Sequence, residues 1–158
     1  MGCDLLDEGN FSAKEREILS KAGRILEMKV RAQSDVLDSP TLVRQWLQVR
    51  FSGLEREMFG VLFLDTQNRV IDFEVLFTGT LTQTSVFPRE VVKAVLMHNA
   101  GAVLLVHNHP SGLAEPSRAD EILTQALKHA LALVDTKVLD HFIVAGSAVL
   151  SFAERGLI

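Results

Sequence analysis

The sequence has 158 residues and only one cysteine, Cys3. A single thiol cannot pair within the chain, so a framework of disulfides is excluded, and the composition suits a reducing compartment. A structural zinc site is usually closed by four protein ligands that include cysteines. With one distant cysteine, any metal centre is expected to be an open site built from histidine and carboxylate ligands.

The sequence also has no excess of basic residues. It contains 16 Lys and Arg against 20 Asp and Glu, which gives a net charge of −4. A dedicated nucleic-acid-binding protein normally shows a basic face, so this balance argues against nucleic acid as a partner. No apolar run approaches the ~20 residues that cross a bilayer, so we expect no association with a membrane. The expected location is the cytoplasm.

No repeat, linker or low-complexity tract interrupts the chain, and 47% of its residues are hydrophobic, enough for a proper core. We divide it into an N-terminal tail and helix at residues 1–37 and one domain at residues 38–158. Met1 to Asn10 shows no periodicity and is predicted to be a loose end. Ser12 and Glu15 predict a capping box for an amphipathic helix. This helix either packs on the domain or offers its apolar stripe to a partner, such as a second copy of the chain.

Hydrophobic periodicity predicts both helices and strands in the domain. Ser39 or Thr41 is expected to cap a second helix, which places Trp46 in the core. The further elements predicted in chain order are hairpin strands at 58–64 and 69–77, a helix from Pro88, a strand at 102–106, a helix at 118–134 and strands at 138–145 and 148–152. We expect an α/β fold in which helices sandwich a mixed, mostly antiparallel sheet.

The strand predicted at 102–106 is followed by two histidines, His107 and His109. Residues two apart on a strand point to the same side, so these imidazoles are expected to project together. Pro110 then ends the strand pairing, and Gly112 permits an unusual backbone angle. The chain is therefore predicted to turn directly after the histidines.

The helix that follows this turn supplies a carboxylate. Ser117 is a good N-cap, and Asp120 falls three residues later, in the first turn. Together with His107 and His109, Asp120 gives two imidazoles and one carboxylate, a usual ligand set for a catalytic zinc that keeps a fourth position for water. The alternative is that Ser117 and Asp120 form only a capping box that satisfies amides at the helix start.

The spacing His-x-His, seven residues, Ser, two residues, Asp resembles the signature of the JAMM (MPN+) metalloproteases, and the string HNHPSG…PSRAD is similar to their RadC branch. Shorter matching phrases stand at 77–81, 88–91 and 140–144. The resemblance covers residues 38–158. It implies a RadC-like JAB domain with the JAB1/MPN architecture, which is similar to that of cytidine deaminases, and a zinc ion on His107, His109 and Asp120.

The resemblance also implies how such a site works. In JAMM enzymes the general base is a Glu at the start of an early strand; Glu57 matches that position, with Glu55 and Glu74 as competitors. Ser117 matches the serine whose hydroxyl stabilises the oxyanion. The implied reaction is direct hydrolysis of an amide or isopeptide bond in a peptide or protein. Zinc activates the attacking water and Glu57 takes its proton, without a covalent intermediate.

A second interpretation is a metal-holding but catalytically silent module that acts through protein partners or DNA, because the RadC name was attached to DNA repair. Larger RadC-like proteins carry a helix-hairpin-helix region ahead of this domain; the residues before it here are too few for one, so we expect a short form.

Three positions outside the motif also carry expectations. His98 is expected to have a helix-end role and His129 to face solvent. Asp140 or His141 on a neighbouring strand is an alternative support for a metal ligand, although strand alternation sends one of the two to the core side and the other outward.

Overall fold

The computed structural model describes residues 11–81 and 84–158. The predicted loose end at residues 1–10 lies outside the described residues. The helices in the described ranges are α1 (Ala13–Arg31), α2 (Pro40–Arg50), α3 (Pro88–Met97) and α4 (Arg118–Ala132), with a 3₁₀ turn at Val36–Asp38. The strands are β1 (Met58–Leu64), β2 (Val70–Thr78), β3 (Ala102–Asn108), β4 (Lys137–Ala145) and β5 (Ala148–Ser151). Among these helices, none combines the length and apolar composition needed to cross a membrane.

The strands of the described chain form one sheet in the order β2-β1-β3-β4-β5. β1 pairs antiparallel with both β2 and β3, and β4 pairs antiparallel with β5. Only β3 and β4 run parallel, and α4 is the crossover that a parallel pair requires. The prediction of a mixed, mostly antiparallel sheet is confirmed.

Helices cover both faces of this sheet, and each face has its own core. On β3, Leu104 and Val106 pack in the layer of α1 and α2, whereas Val103 and Leu105 pack in the layer of α3 and α4. β3 is therefore buried along its whole length, as its continuous apolar run predicted. Trp46, 1% exposed, belongs to the first core, where its ring lies edge-on to Phe73 with ring centroids 5.0 Å apart.

The capping box predicted for α1 is present, because the Ser12 hydroxyl accepts from the Glu15 N–H and the Glu15 side chain accepts from the Ser12 N–H. Val30 of α1 is buried in the first core, so the helix packs on the domain. Its outer side leaves Ile18, Ile25 and Met28 exposed. The division of the chain at residue 38 stays a prediction.

The start of α2 differs from the expectation in its chemistry. Ser39 occupies the N-cap position but makes no side-chain cap hydrogen bond, and Pro40 is the first helical residue. The Ser39 hydroxyl instead donates to the Gln33 side chain at 3.0 Å. Proline has no N–H to be capped, so this helix start needs fewer capping acceptors.

Two leucines near the end of α4 provide a test of the core assignment. Leu131 is fully buried in the second core, whereas Leu133 is 87% exposed. Leu131→Ala should lower the free energy of unfolding by about 2–5 kcal/mol, because it leaves a cavity between helix and sheet. Leu133→Ala, the control with the same chemistry, should change it by less than about 0.5 kcal/mol. Urea unfolding followed by circular dichroism measures both, and equal losses would contradict this packing.

Candidate metal centre

The carboxyl end of β3 holds the two histidines. His107 pairs with Phe59 of β1 and Ile143 of β4, and only 2% of it is exposed. The alternation along β3 turns its imidazole towards the layer of α3 and α4. His109 lies just past the strand end, where its N–H still donates to the Val144 carbonyl of β4 at 2.9 Å. Both backbones are therefore fixed by the sheet rather than by a mobile loop.

The turn after β3 fixes the ring of His109. Gly112 has φ +79°, the left-handed backbone that the sequence predicted there. Its N–H donates to the His109 carbonyl at 3.0 Å, and this curl brings the Leu113 carbonyl to 2.9 Å from His109 Nδ1. A carbonyl only accepts, so Nδ1 carries the proton and the Nε2 lone pair of a neutral ring faces inward.

The capping box at the start of α4 is present, and it also aims Asp120 at the histidines. The Ser117 hydroxyl accepts from the Asp120 N–H at 3.1 Å, and the Ser117 N–H donates to Asp120 Oδ2 at 2.7 Å. Asp120 Oδ1 lies 3.3 Å from His107 Nε2, and Oδ2 lies 3.5 Å from His109 Nε2. Capping does not exclude metal ligation, because the same carboxylate closes the helix start and faces both imidazoles.

The donor set fits a zinc ion. The Nε2 atoms of His107 and His109 are 2.9 Å apart, and each lies 3.3–3.5 Å from an Asp120 oxygen. Atoms bound to one tetrahedral zinc at about 2.0–2.1 Å lie about 3.3 Å from one another, which is close to these separations. In the part of the chain that the structure describes, no fourth His, Cys, Asp or Glu joins this group. The arrangement is that of an open site.

The electrostatics of the site favour an ionised carboxylate. Burial on its own would raise the pKa of Asp120, but hydrogen bonds with His107 and His109 outweigh it and hold the pKa well below its usual range. The bond to Asp120 raises the pKa of His109, against the opposing effect of burial. The Asp120 charge also lies at the N-terminus of α4, where the helix dipole stabilises it.

Glu57, the predicted base, lies directly before β1 and is half-buried. The β1–β3 register pairs Phe59 with His107, so its continuation brings Glu57 opposite His109 and onto the same side of the sheet. The Glu57 charge also contributes to the raised pKa of His109. The register thus brings Glu57 to the end of the sheet that carries the two histidines.

Asn108, which the sequence interpretation did not single out, holds the backbone on both sides of Glu57. Its Oδ1 accepts from the Met58 N–H at 2.8 Å, and its Nδ2 donates to the Arg56 carbonyl at 2.9 Å. The backbone of Glu57 itself pairs with Thr80 and Gly79 on its other side. The signal in the sequence was its place between the two histidines, which turns its side chain to the other face of β3.

The other two candidates for the general base, Glu74 and Glu55, lie in different surroundings from Glu57. Glu74 pairs with Val61 in the middle of β1 and accepts a hydrogen bond from His98 at 2.8 Å, so it does not reach the end of β3. Glu55 is exposed and lines, together with His109, an open cavity of about 650 Å³. Glu55 therefore lies near the site but is not held in it.

His98 does more than the expected helix-end role. It is the C-cap of α3, but its ring stacks on Phe63 with centroids 4.1 Å apart, and it bonds Glu74. His98 and Glu74 form a second group of His and carboxylate side chains together with Asp72. Arg31 already lies 2.9 Å from Asp72 and neutralises part of that charge, which disfavours a cation there. His129 is exposed, as expected.

On β4, His141 faces the candidate metal centre and Asp140 faces away from it. His141 is fully buried, and its Nε2 lies 2.8 Å from His107 Nδ1. Burial lowers the pKa of His141 well below its ordinary value. Asp140 instead accepts from the Ser151 hydroxyl at 2.5 Å and from backbone N–H groups of the β4–β5 end. The contact between the two histidines depends on the β3–β4 register, which the sequence alone could not supply.

The mixed sheet between two layers of helices, with two imidazoles and a carboxylate gathered at the end of a central strand, defines the class: an α/β domain of the JAB/MPN type. The family profile of the RadC-like JAB domain matches residues 37–157. The chain belongs to this family, as its motifs predicted. The JAB superfamily includes metalloproteases.

Curated relatives support the same membership. A UPF0758 protein of Methylibium petroleiphilum is 60% identical over 141 residues, which cover 89% of this chain and 63% of the relative. A UPF0758 protein of Nitrosospira multiformis is 59% identical over 146 residues, 92% of this chain and 65% of the relative. One of Dechloromonas aromatica is 64% identical over 128 residues, 80% of this chain and 57% of the relative. The chain thus spans about three fifths of the length of these relatives.

The two capping boxes allow the two tasks of Ser117 to be separated. Ser117→Ala should lower the free energy of unfolding by about 1 kcal/mol through the lost cap, and Ser12→Ala, at the matching position of α1, should cost a similar amount. Only Ser117→Ala also removes a hydrogen bond to Asp120. The ring NMR signals of His109 should therefore shift in Ser117→Ala alone; signals that move in neither variant would contradict the link between cap and site.

Proposed function

We propose that this chain is a zinc-dependent hydrolase that cleaves an amide or isopeptide bond in a peptide or protein substrate, in the cytoplasm. The observation that carries the proposal is the convergence of His107, His109 and Asp120 without a fourth protein ligand among the described residues. Catalytic zinc sites keep such a position free for water or substrate, whereas structural sites fill it with a fourth side chain.

His107, His109 and Asp120 would hold the metal through the two Nε2 atoms and a carboxylate oxygen. A zinc ion bound there supplies Lewis-acid chemistry, since it lowers the pKa of a coordinated water and polarises a carbonyl. His107 is only 2% exposed, and Phe59 stacks beside its ring at a centroid distance of 6.4 Å, so bulk water has little access to this side chain. Exclusion of bulk water strengthens the electrostatic interactions among these groups.

Glu57 is the general base in this proposal. Its position opposite His109 in the β1–β3 register and its contribution to the raised pKa of His109 support a carboxylate close to the ligands. A carboxylate there can take the proton of the attacking water and later deliver it to the leaving amine. The hydrogen bonds of Asn108 to both neighbours of Glu57 limit how far this carboxylate can drift.

Ser117 would stabilise the oxyanion of the tetrahedral intermediate. Its hydroxyl now donates to Asp120 Oδ2 at 2.7 Å, so this role requires the hydroxyl to rotate towards substrate. Asp120 would stay in place during that rotation, because the Ser117 N–H continues to donate to the same oxygen at 2.7 Å. The backbone half of the capping box thus frees the hydroxyl for substrate.

Zinc content tests the metal centre. Wild-type protein purified with zinc should hold about one ion per chain, and His109→Ala should lose most of it, because two ligands remain where an open site uses three. The control is His129→Ala, which removes an exposed imidazole from α4. Zinc measured by atomic absorption should be unchanged in the control. Equal zinc in the wild type and His109→Ala would refute the site.

Turnover tests the base. Glu57→Gln should keep its zinc and lose about 10²–10⁴-fold in rate on whichever amide- or isopeptide-linked peptide the wild type cleaves, because the amide cannot take a proton. Glu74→Gln, at a carboxylate bonded to His98, is the control and should keep its rate. Activity that survives Glu57→Gln would move the base to another residue, with Glu55 next. Zinc binding with no turnover, but with tight and salt-sensitive DNA binding, would favour the silent module.

A further inference from the structure

We propose that His141 is a positioning residue that fixes the tautomer and the ring direction of His107, and that Thr124 of α4 fixes His141 in turn. Neither residue belongs to the expected ligand set or to the expected acid and base. The inference rests on the metal centre proposed above and assigns a task to two buried polar side chains next to it. The start of α4 then acts on the site twice: Asp120 supplies a carboxylate, and Thr124 holds His141.

Three short contacts connect these residues. His107 Nδ1 lies 2.8 Å from His141 Nε2, His141 Nδ1 lies 2.7 Å from Thr124 Oγ1, and Thr124 Oγ1 lies 2.6 Å from the Asp120 carbonyl oxygen. His141 and Thr124 are both fully buried. Phe59 and Phe152 flank the His141 ring, with centroids 5.7 and 4.7 Å away. Because apolar rings flank His141, its two ring nitrogens have to find their hydrogen-bond partners in His107 and Thr124.

The donor and acceptor in each of these hydrogen bonds can be assigned by starting from the Asp120 carbonyl. The Asp120 carbonyl has no proton to give, so the Thr124 hydroxyl must donate its single hydrogen to that oxygen. Thr124 Oγ1 is then an acceptor towards His141, which places a proton on His141 Nδ1. A neutral ring with its proton on Nδ1 presents a lone pair at Nε2. His141 is thereby set as an acceptor at the atom that faces His107.

The metal end gives the same answer independently. His107 can bind a metal only through Nε2, the atom that lies beside His109 and Asp120, and a ligating nitrogen needs its lone pair. The proton of the neutral ring must then be on Nδ1, where His141 Nε2 is the partner that the structure provides. Both ends therefore assign each proton to the same atom. Ligating histidines commonly donate their other N–H to such a partner.

The comparison with His109 shows what is particular to His107. His109 Nδ1 donates to a backbone carbonyl, that of Leu113, and no side chain can change that acceptor. His107 instead depends on an imidazole that can itself exist in two tautomers, and Thr124 decides between them. This series of hydrogen bonds begins and ends at Asp120. Its carboxylate faces His107, and its backbone carbonyl accepts the hydrogen bond from Thr124. A change at Thr124 is therefore expected to alter zinc affinity, although this residue contacts no ligand side chain.

Zinc affinity of matched variants tests the inference. Thr124→Val is nearly isosteric and removes the hydroxyl, whereas Thr124→Ser keeps it. Thr124→Val should bind zinc about tenfold more weakly, and Thr124→Ser should stay near the wild type. His141→Leu removes the acceptor and should cost about 10–100-fold, while His141→Gln offers an amide oxygen to His107 Nδ1 and should recover most of the loss. Competition with a chromophoric chelator, with Zn²⁺ as the only added ligand, gives the dissociation constants.

The proton positions are measured directly by two-bond ¹H–¹⁵N correlation spectra of the zinc-loaded wild type. Both His107 and His141 should carry their proton on Nδ1, and His141 should change its tautomer or charge in Thr124→Val. This readout is independent of turnover, and it holds even if His141→Leu does not fold. A proton on His141 Nε2, or ligation by His107 Nδ1, would overturn the inference.

Failure of the inference is distinguishable from failure of the metal centre. Equal zinc affinity in the wild type, Thr124→Val and His141→Leu, with His109→Ala still deficient, overturns the role of His141 alone. A wild type that takes up no zinc overturns both. Circular dichroism of each variant confirms that a loss of affinity comes from a folded protein.

Discussion

The carboxylate of Asp120 is the group on which the rest of the site depends, because it takes part in local and tertiary structure at once. Locally it accepts from the Ser117 N–H and closes the N-terminus of α4. In the tertiary structure it faces both imidazoles at the end of β3. A carboxylate at this depth needs partners to stay ionised, and the cap and the histidines provide them. The position of α4 on the sheet is thus defined by the same atoms that define the site.

Much of the fold and of the candidate site could be predicted from short-range patterns in the sequence. The strand run before His107, the period of two that pairs His107 with His109, and the cap three residues before Asp120 are all local, and each is present in the structure. The layered fold followed from alternating helical and strand periods. What local patterns could not give was the distance between segments far apart in sequence, because that depends on strand register.

Two outcomes show how register decides. Glu57 lies directly before the β1–β2 hairpin and Glu74 belongs to it, and the two look alike in sequence. The pairing places Glu57 beside the carboxyl end of β3, and Glu74 of β2 opposite the middle of β1. Alternation along a strand sends one residue of the Asp140–His141 pair to each face, and the sequence does not say which of the two faces His107. The parallel pairing of β3 with β4 sets His141 opposite Leu105, which turns His141 to the face of His107 and Asp140 to the other.

β3 and the residue directly after it deliver three consecutive side chains with two different tasks, and this arrangement lets the sheet fix the backbone of the site. His107 and His109 point to the face where we propose a metal, and Asn108 points to the other and binds the backbone on both sides of Glu57. The proposed proton transfer requires Glu57 and the two histidines to keep their separation to within a fraction of an ångström. Because consecutive residues at the end of one strand fix all three, a twist or a shift of the sheet moves the two histidines and Glu57 together. The loop from Pro110 to Pro116 completes this arrangement rather than varying freely around it, because its Leu113 carbonyl holds the His109 ring at Nδ1.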